Sequence, residues 1–283
     1  MSKNEREIKR KIEEIGIPLK DWDIHIYRGI LTGLNEAFII NSATKDALIA
    51  ADPKSAEIIR PILRGRDIKR YSYSFADLWL IATFPSMGYD INKYPAIKEY
   101  LLSFGIERIE QSGKTYVIDG REVKARKKTN NKWFETQDSI CYWDDFSKQK
   151  IVWGEISDKP KFALDEKGQY VTDVSTFFMV GESLLYLFGV LNSKVSQYYF
   201  SQFGTTTGVG TVRWKKFKIE QLPIPRISEL GEKKITALVG EIVKGSEQGE
   251  DVSELVSRVD DIIYSLVGLS KDEITVIEQY CSR

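Results

Sequence analysis

The chain has 283 residues, 42% of them hydrophobic and 29% charged, a globular balance that excludes a disordered polymer and leaves room for one large domain or two small ones. Its apolar runs fall well short of a membrane span, and the opening MSKNEREIKRKIEEIG mixes charges of both signs without an apolar stretch, so neither a membrane helix nor a signal peptide is expected. The net charge of zero argues at first against a nucleic-acid binder.

Residues 3–15 read as an amphipathic helix with Ile8, Ile12 and Ile15 on one face, ended by Gly16 and Pro18. WDIHI alternates Trp22, Ile24 and Ile26 with polar partners and reads as a strand. RGILTGLNEAFII, with Arg28, Thr32 and Asn35, is a glycine-punctuated loop feeding a second strand at 37–40. Thr44 is expected to cap a short helix, and Asp52 followed by Pro53 an N-cap with proline at the first helical position, the helix closing at Pro61. The turn IRPILRGRDIKRY then gathers Arg60, Arg64, Arg66, Lys69 and Arg70 against one acid, Asp67. LWLIAT (78–83) is a buried strand, and 95–104 a helix stopped by Gly105.

TYVIDGREV places Asp119-Gly120 between two short alternating runs, a hairpin signal. It opens into KARKKTNNKW, with Lys124, Arg126, Lys127, Lys128 and Lys132, Asn130 and Asn131, and no acid. Five cations with no apolar anchor before Trp133 predict a mobile loop. KIVWGEIS is a strand, KFALDEKGQYV a second hairpin, and TFFMV continues the sheet. Residues 183–203 read as one apolar-faced helix through Leu184, Leu187, Leu191, Val195 and Tyr199. QFGTTTGVGTVRW, carrying Thr205, Thr206 and Thr207, has no apolar periodicity and leads into the third basic cluster, Arg213, Lys215, Lys216 and Lys218.

The remainder is helical: 229–245, the turn GSEQGED, 252–267 and a short helix from Ser270. Ile235, Leu238, Val239 and Ile242 form one apolar stripe, and Leu255, Val259, Ile262, Ile263 and Leu266 another. Two such helices should pair antiparallel and also rest on the rest of the chain. The expected division is therefore an α+β unit of mixed sheets and hairpins over 1–226, with 1–19 an N-terminal helix, and a helical appendage over 227–283. Residues 229–283 hold 12 acids and 6 bases, a net of −6, so residues 1–228 carry +6. Gathered on one face, the three basic clusters would attract a phosphate backbone; scattered, they are three solvated loops.

Signs of catalysis are absent. The eight prolines are never adjacent, which removes the Asn/Asp/Ser-Pro-Pro-Tyr/Phe loop that holds the target amine in adenine methyltransferases. Gly208-Val-Gly210 lacks the third glycine and the strand–helix context of a nucleotide turn. Glu122-Val123-Lys124 fits half of a metal-nuclease motif, but Asp119 is too near to be its partner, and surface charge on a hairpin explains it better. His25 has no Ser or Cys nucleophile nearby and reads as structural or surface. Cys141 and Cys281 are far apart without metal-ligand spacing, as expected of free thiols in a reducing cytoplasm.

In order along the chain, RGILTGLNEAFII, IRPILRGRDIKRY, LWLIAT, NKYPAIKEYL, KIVWGEIS, LFGVLNSKVSQYYF and LPIPRI resemble the TaqI-like C-terminal specificity domain. This domain is found in adenine-specific DNA methyltransferases and type IIG restriction enzymes; the tail SELVSRVDDIIYSLVGLSKDEITVIE also resembles the end of many type IIG chains. The resemblance implies recognition of double-stranded DNA in the cytoplasm, beside a methyltransferase domain or subunit that binds S-adenosylmethionine and flips adenine, with Mg²⁺ if a nuclease is attached. The chain itself should then hold no cofactor and no metal, and be a fragment or a separate specificity subunit. The competing reading is a protein–protein scaffold that docks a methyltransferase. The expected DNA contacts are Arg28, Thr32, Asn35, Arg64, Arg66, Lys69, Arg70, Lys124, Arg126, Lys127, Lys128, Asn130, Lys132, Thr205–Thr207, Arg213, Lys215 and Lys216. Trp133 and Trp214, flanking basic clusters, should anchor those loops in the core.

Overall fold

A computed structural model describes residues 3–203, 205–206 and 212–282. Its centre is a four-stranded antiparallel sheet in the order Phe162–Asp165, Lys150–Gly154, Thr176–Gly181, Ile24–Arg28. Because successive side chains in a strand point to opposite faces, each strand feeds two cores. Ile26, Ile151, Trp153, Phe162, Leu164, Phe177 and Met179 join a helical core on one face. Val152, Ala163, Phe178 and Val180, with Tyr27 beside them, join the other. Both faces are covered, which is why TFFMV and KIVWG read as nearly continuous apolar runs.

The second core is closed by a mixed sheet in the order Val171–Thr172, Ile59–Leu63, Leu78–Ile81, Ile39–Asn41, its first pair parallel and the others antiparallel. KFALDEKGQYV is therefore not a hairpin. Phe162–Asp165 pairs with Lys150–Gly154, while Val171–Thr172 crosses to Ile62 and Leu63 of the other sheet. Asp165 makes the crossing: its carboxylate accepts from the Gln169 and Tyr170 amides and pairs with the buried Lys150 ammonium. Pro61 lies within a strand rather than closing a helix, opposite Trp79. The helix of residues 42–51 is capped by Asn41, which accepts from Thr44 N–H, not by Thr44 itself; Asp52 caps the following turn as expected.

The helical core holds Lys3–Ile15, Leu184–Leu191, Lys194–Phe203 and the three tail helices Glu229–Glu247, Ser253–Val267 and Lys271–Cys281. The predicted single helix over 183–203 is broken at Asn192. Its buried side chain exchanges two hydrogen bonds with the Phe162 backbone at the sheet edge, so the edge strand is capped at the expense of helix continuity. Gly189 lets the first tail helix approach: a Cβ there would lie 2.8 Å from Val239 Cγ2. Ile235, Val239, Ile242, Val259 and Ile263 are fully buried against this surface, each stabilising by about 1.5–3 kcal/mol. Lys11 clips the N-terminal helix to the tail through Glu273 (2.8 Å) and the Gly268 carbonyl. Cys141 and Cys281 are free thiols. Among the described residues no helix is long and apolar enough to cross a membrane. The fold is α+β.

Candidate nucleic-acid interface

Three adjacent central strands terminate at one edge. There lie Arg28 at the end of its strand, Gly154 paired with Thr176, and Glu155 just beyond. The Arg64–Asp67 turn covers this edge from the second-sheet side. It comes close because both facing positions are glycine: a Cβ on Gly154 would stand 3.2 Å from Gly65 Cα. Gly65 N–H donates to Ser175 Oγ, whose hydroxyl donates to Asp173. From the other side Ile156–Ser157 pairs with Val212–Arg213, which pairs in turn with Thr205–Thr206. The result is an open cleft of about 730 Å³.

Among the described residues Arg28, Arg66, Lys161 and Arg213 line the cleft with one acid, Glu155, and Lys161 is paired with Asp158 beside it at 2.7 Å. Glu155 ties two of them: Arg28 Nη2 is 3.0 Å from Oε2 and Arg213 Nη1 is 3.6 Å from Oε1. Its backbone is fixed on both sides, N–H to the Ser175 carbonyl and C=O from the Trp214 amide. Trp214 is a core anchor, as expected, stacked on Phe200 at 4.0 Å. Arg66 makes no hydrogen bond or ion pair with any described residue. The cleft thus joins parts of two of the three basic clusters to Arg28 and adds Lys161, which stands in no cluster and gave no sequence signal. Glu155 was equally silent, a lone acid after a strand.

The other expected contacts are placed differently. Arg64 is spent on Asp67, donating from both Nε (2.9 Å) and Nη2 (2.8 Å). Burial would raise the Asp67 carboxyl, but the Arg64 side chain and amide hold it below the usual carboxylate range. Lys69 is exposed on a two-residue strand. Arg70 points away from the cleft, donating to the Asn192 carbonyl and lying 3.9 Å from buried Asp260 of the tail. Lys215 precedes a short helix, and Lys216 donates to the Ile26 carbonyl. Thr32 is buried, its hydroxyl donating to the exposed Asn35. Thr207 lies outside the described residues.

Arg126 is a correction. Its guanidinium is buried and donates to four backbone carbonyls, those of Ile109, Thr32, Glu135 and Trp133, with the Phe38 ring 4.9 Å away. Burial pushes it down to about 10, so it stays charged at neutral pH. A cation can enter a core when carbonyl dipoles replace its water. The segment expected to be a mobile loop is for the same reason built into the fold. Ala125, Arg126 and Thr129 amides donate to Lys114, Glu110 and Gln111 carbonyls, and Asn131 donates to Gln137. The Asp119-Gly120 hairpin projects beside it as expected, with both turn residues at positive φ. Lys124, Lys127, Lys128, Asn130 and Lys132 remain exposed. Burial raises the Asp138 carboxyl, against the lowering charges of Arg28 and Lys127.

Residues 60–224 match the TaqI-like C-terminal specificity domain, and the chain belongs to that family. Two solved structures share the fold. The type IIL restriction-modification enzyme MmeI, solved in complex with DNA, aligns over 91% of this chain and 34% of its own with a TM-score of 0.61 at 12% identity. The type IIG restriction endonuclease BpuSI aligns over 93% of this chain and 33% of its own with a TM-score of 0.53 at 16% identity. The chain thus spans about a third of the length of either enzyme.

Proposed function

We propose that this chain recognises a specific sequence of double-stranded DNA for a restriction–modification system and presents the target adenine to an S-adenosylmethionine-dependent methyltransferase domain supplied elsewhere. The observation that carries the reading is the cleft: Arg28, Arg66, Arg213 and Lys161, distant in sequence, converge on the edge of the central sheet. Lys127 and Lys128 add two further exposed cations. Guanidinium and ammonium groups so arranged neutralise phosphates and release their counterions. Family membership and the likeness to two restriction–modification enzymes support the reading. In it, S-adenosylmethionine, and Mg²⁺ where a nuclease is attached, belong to the catalytic partner, and the site of action is the cytoplasm.

The test is fluorescence anisotropy of the full chain with mixed-sequence duplexes, alone and with a methyltransferase partner, across a salt series. Affinity should fall steeply and linearly on log–log axes. Salt-insensitive binding, or none in either setting, rejects the proposal.

A further inference from the structure

Glu155 is out of place in a surface that attracts phosphate. A carboxylate there weakens phosphate binding, yet it is held rigidly, its side chain only 14% exposed. It accepts a hydrogen bond from Arg28 and forms a looser ion pair with Arg213 at 3.6 Å, while Arg66 on the opposite wall has no such partner among the described residues. The cations of the cleft therefore fall into two kinds. An unpaired, flexible cation is a general phosphate contact. A guanidinium already bonded to a carboxylate has lost much of its pull on phosphate but has gained a fixed direction. Arg28 is fixed twice over, its Nε donating to the Val174 carbonyl (3.1 Å) and its Nη2 to Glu155. Its Nη1 and the second Nη2 proton remain, a pair of donors matching the O6 and N7 acceptors on the major-groove edge of guanine.

We infer that Glu155 is a positioning residue that turns Arg28 and Arg213 from phosphate contacts into readers of a guanine edge, leaving phosphate binding to Arg66 and the exposed lysines. The inference rests on the DNA-recognition reading and adds a division of labour within it.

Selection from a library of duplexes randomised over one helical turn separates the two. Wild type, Arg28→Lys, Arg213→Lys, Glu155→Gln and, as control, Arg66→Lys are compared for consensus and salt dependence, with melting temperatures to confirm folding. Lysine keeps the charge and loses the fork. Arg28→Lys and Arg213→Lys should therefore keep the salt slope but lose about tenfold to a hundredfold of discrimination for guanine at one position of the consensus. Glu155→Gln should lose the same preference and steepen the salt slope by about one, as a freed guanidinium turns to phosphate. Arg66→Lys should leave the consensus intact. If wild type selects a consensus that the Arg28, Arg213 and Glu155 variants all share, the inference is overturned and the functional reading stands. If wild type binds no duplex, both fall. Should Glu155→Gln not fold, the two lysine variants still decide.

Discussion

The Arg64–Arg70 segment and the 124–132 segment look alike in sequence, each a run of cations with turn residues, and the fold treats them differently. In the first, the anchoring arginines meet carboxylates: Arg64 on Asp67, Arg70 near Asp260. In the second, Arg126 is held by four carbonyls and has no carboxylate hydrogen bond among the described residues. Both segments then present what is left, Arg66 and Lys69 in one, Lys124, Lys127, Lys128 and Lys132 in the other. A basic cluster is thus two populations, cations that fasten the backbone and cations that face outward. Charge counting cannot separate them, because the distinction lies in which acceptors the rest of the chain brings to the spot.

The sharpest way to break this comparison is Arg126→Ala. It strands up to four interior carbonyls and should cost about 3–5 kcal/mol of stability, read by urea unfolding. A loss under about 1 kcal/mol would show that Arg126 is no anchor. Next comes the outward-facing population. Lys127→Glu with Lys128→Glu should leave stability within about 0.5 kcal/mol of wild type. It should weaken duplex binding evenly across sequences and make the salt slope shallower by about one for each phosphate no longer neutralised. Unchanged binding would confine the interface to the cleft.

Much of the fold was legible because local pattern and global fold agree. The apolar runs of KIVWG and TFFMV, the Asp119-Gly120 turn and the tail stripes each carry their own geometry. The departures share one cause, a distant partner that overrides a local signal. Helical periodicity runs unbroken through Leu191, Val195 and Tyr199, and nothing local says that the Phe162 edge strand will claim Asn192. KFALDEKGQYV has a hairpin's shape, but its two arms lie in different sheets. Of the candidate site, the arginines were visible as charge, whereas Glu155 and Lys161 become meaningful only once strand ends bring them to the same edge.

The smallest expected effect is the change with pH at the two carboxylates that anchor the first segment, which should have opposite signs. At Asp67, burial raises the carboxyl, but the Arg64 side-chain and backbone hydrogen bonds win and the net shift is downward. A carboxyl that holds its proton less tightly in the folded state stabilises the fold when ionised, so its contribution is present above the usual carboxylate range and lost on acidification. Asp67→Asn should cost about 1.5–3 kcal/mol near neutral pH, with the gap narrowing toward low pH. At Asp260, burial outweighs the Lys194 amide and the charges of Arg70 and Lys194, and the net shift is upward. That carboxyl holds its proton more tightly when folded, so its contribution is present at low pH and lost as pH rises through the folded value. Asparagine can still accept from the Lys194 amide, now 2.9 Å from Oδ1, and carries no charge to desolvate. Asp260→Asn should therefore gain on wild type as pH climbs from about 4 to about 7. Urea unfolding of both variants and wild type from about pH 2 to about pH 7 gives two difference curves, that of Asp67→Asn falling with pH mainly below about 4 and that of Asp260→Asn rising above it. Curves of the same sign would mean that Arg70 neutralises Asp260 as fully as Arg64 neutralises Asp67, and that the segment is fastened alike at both ends.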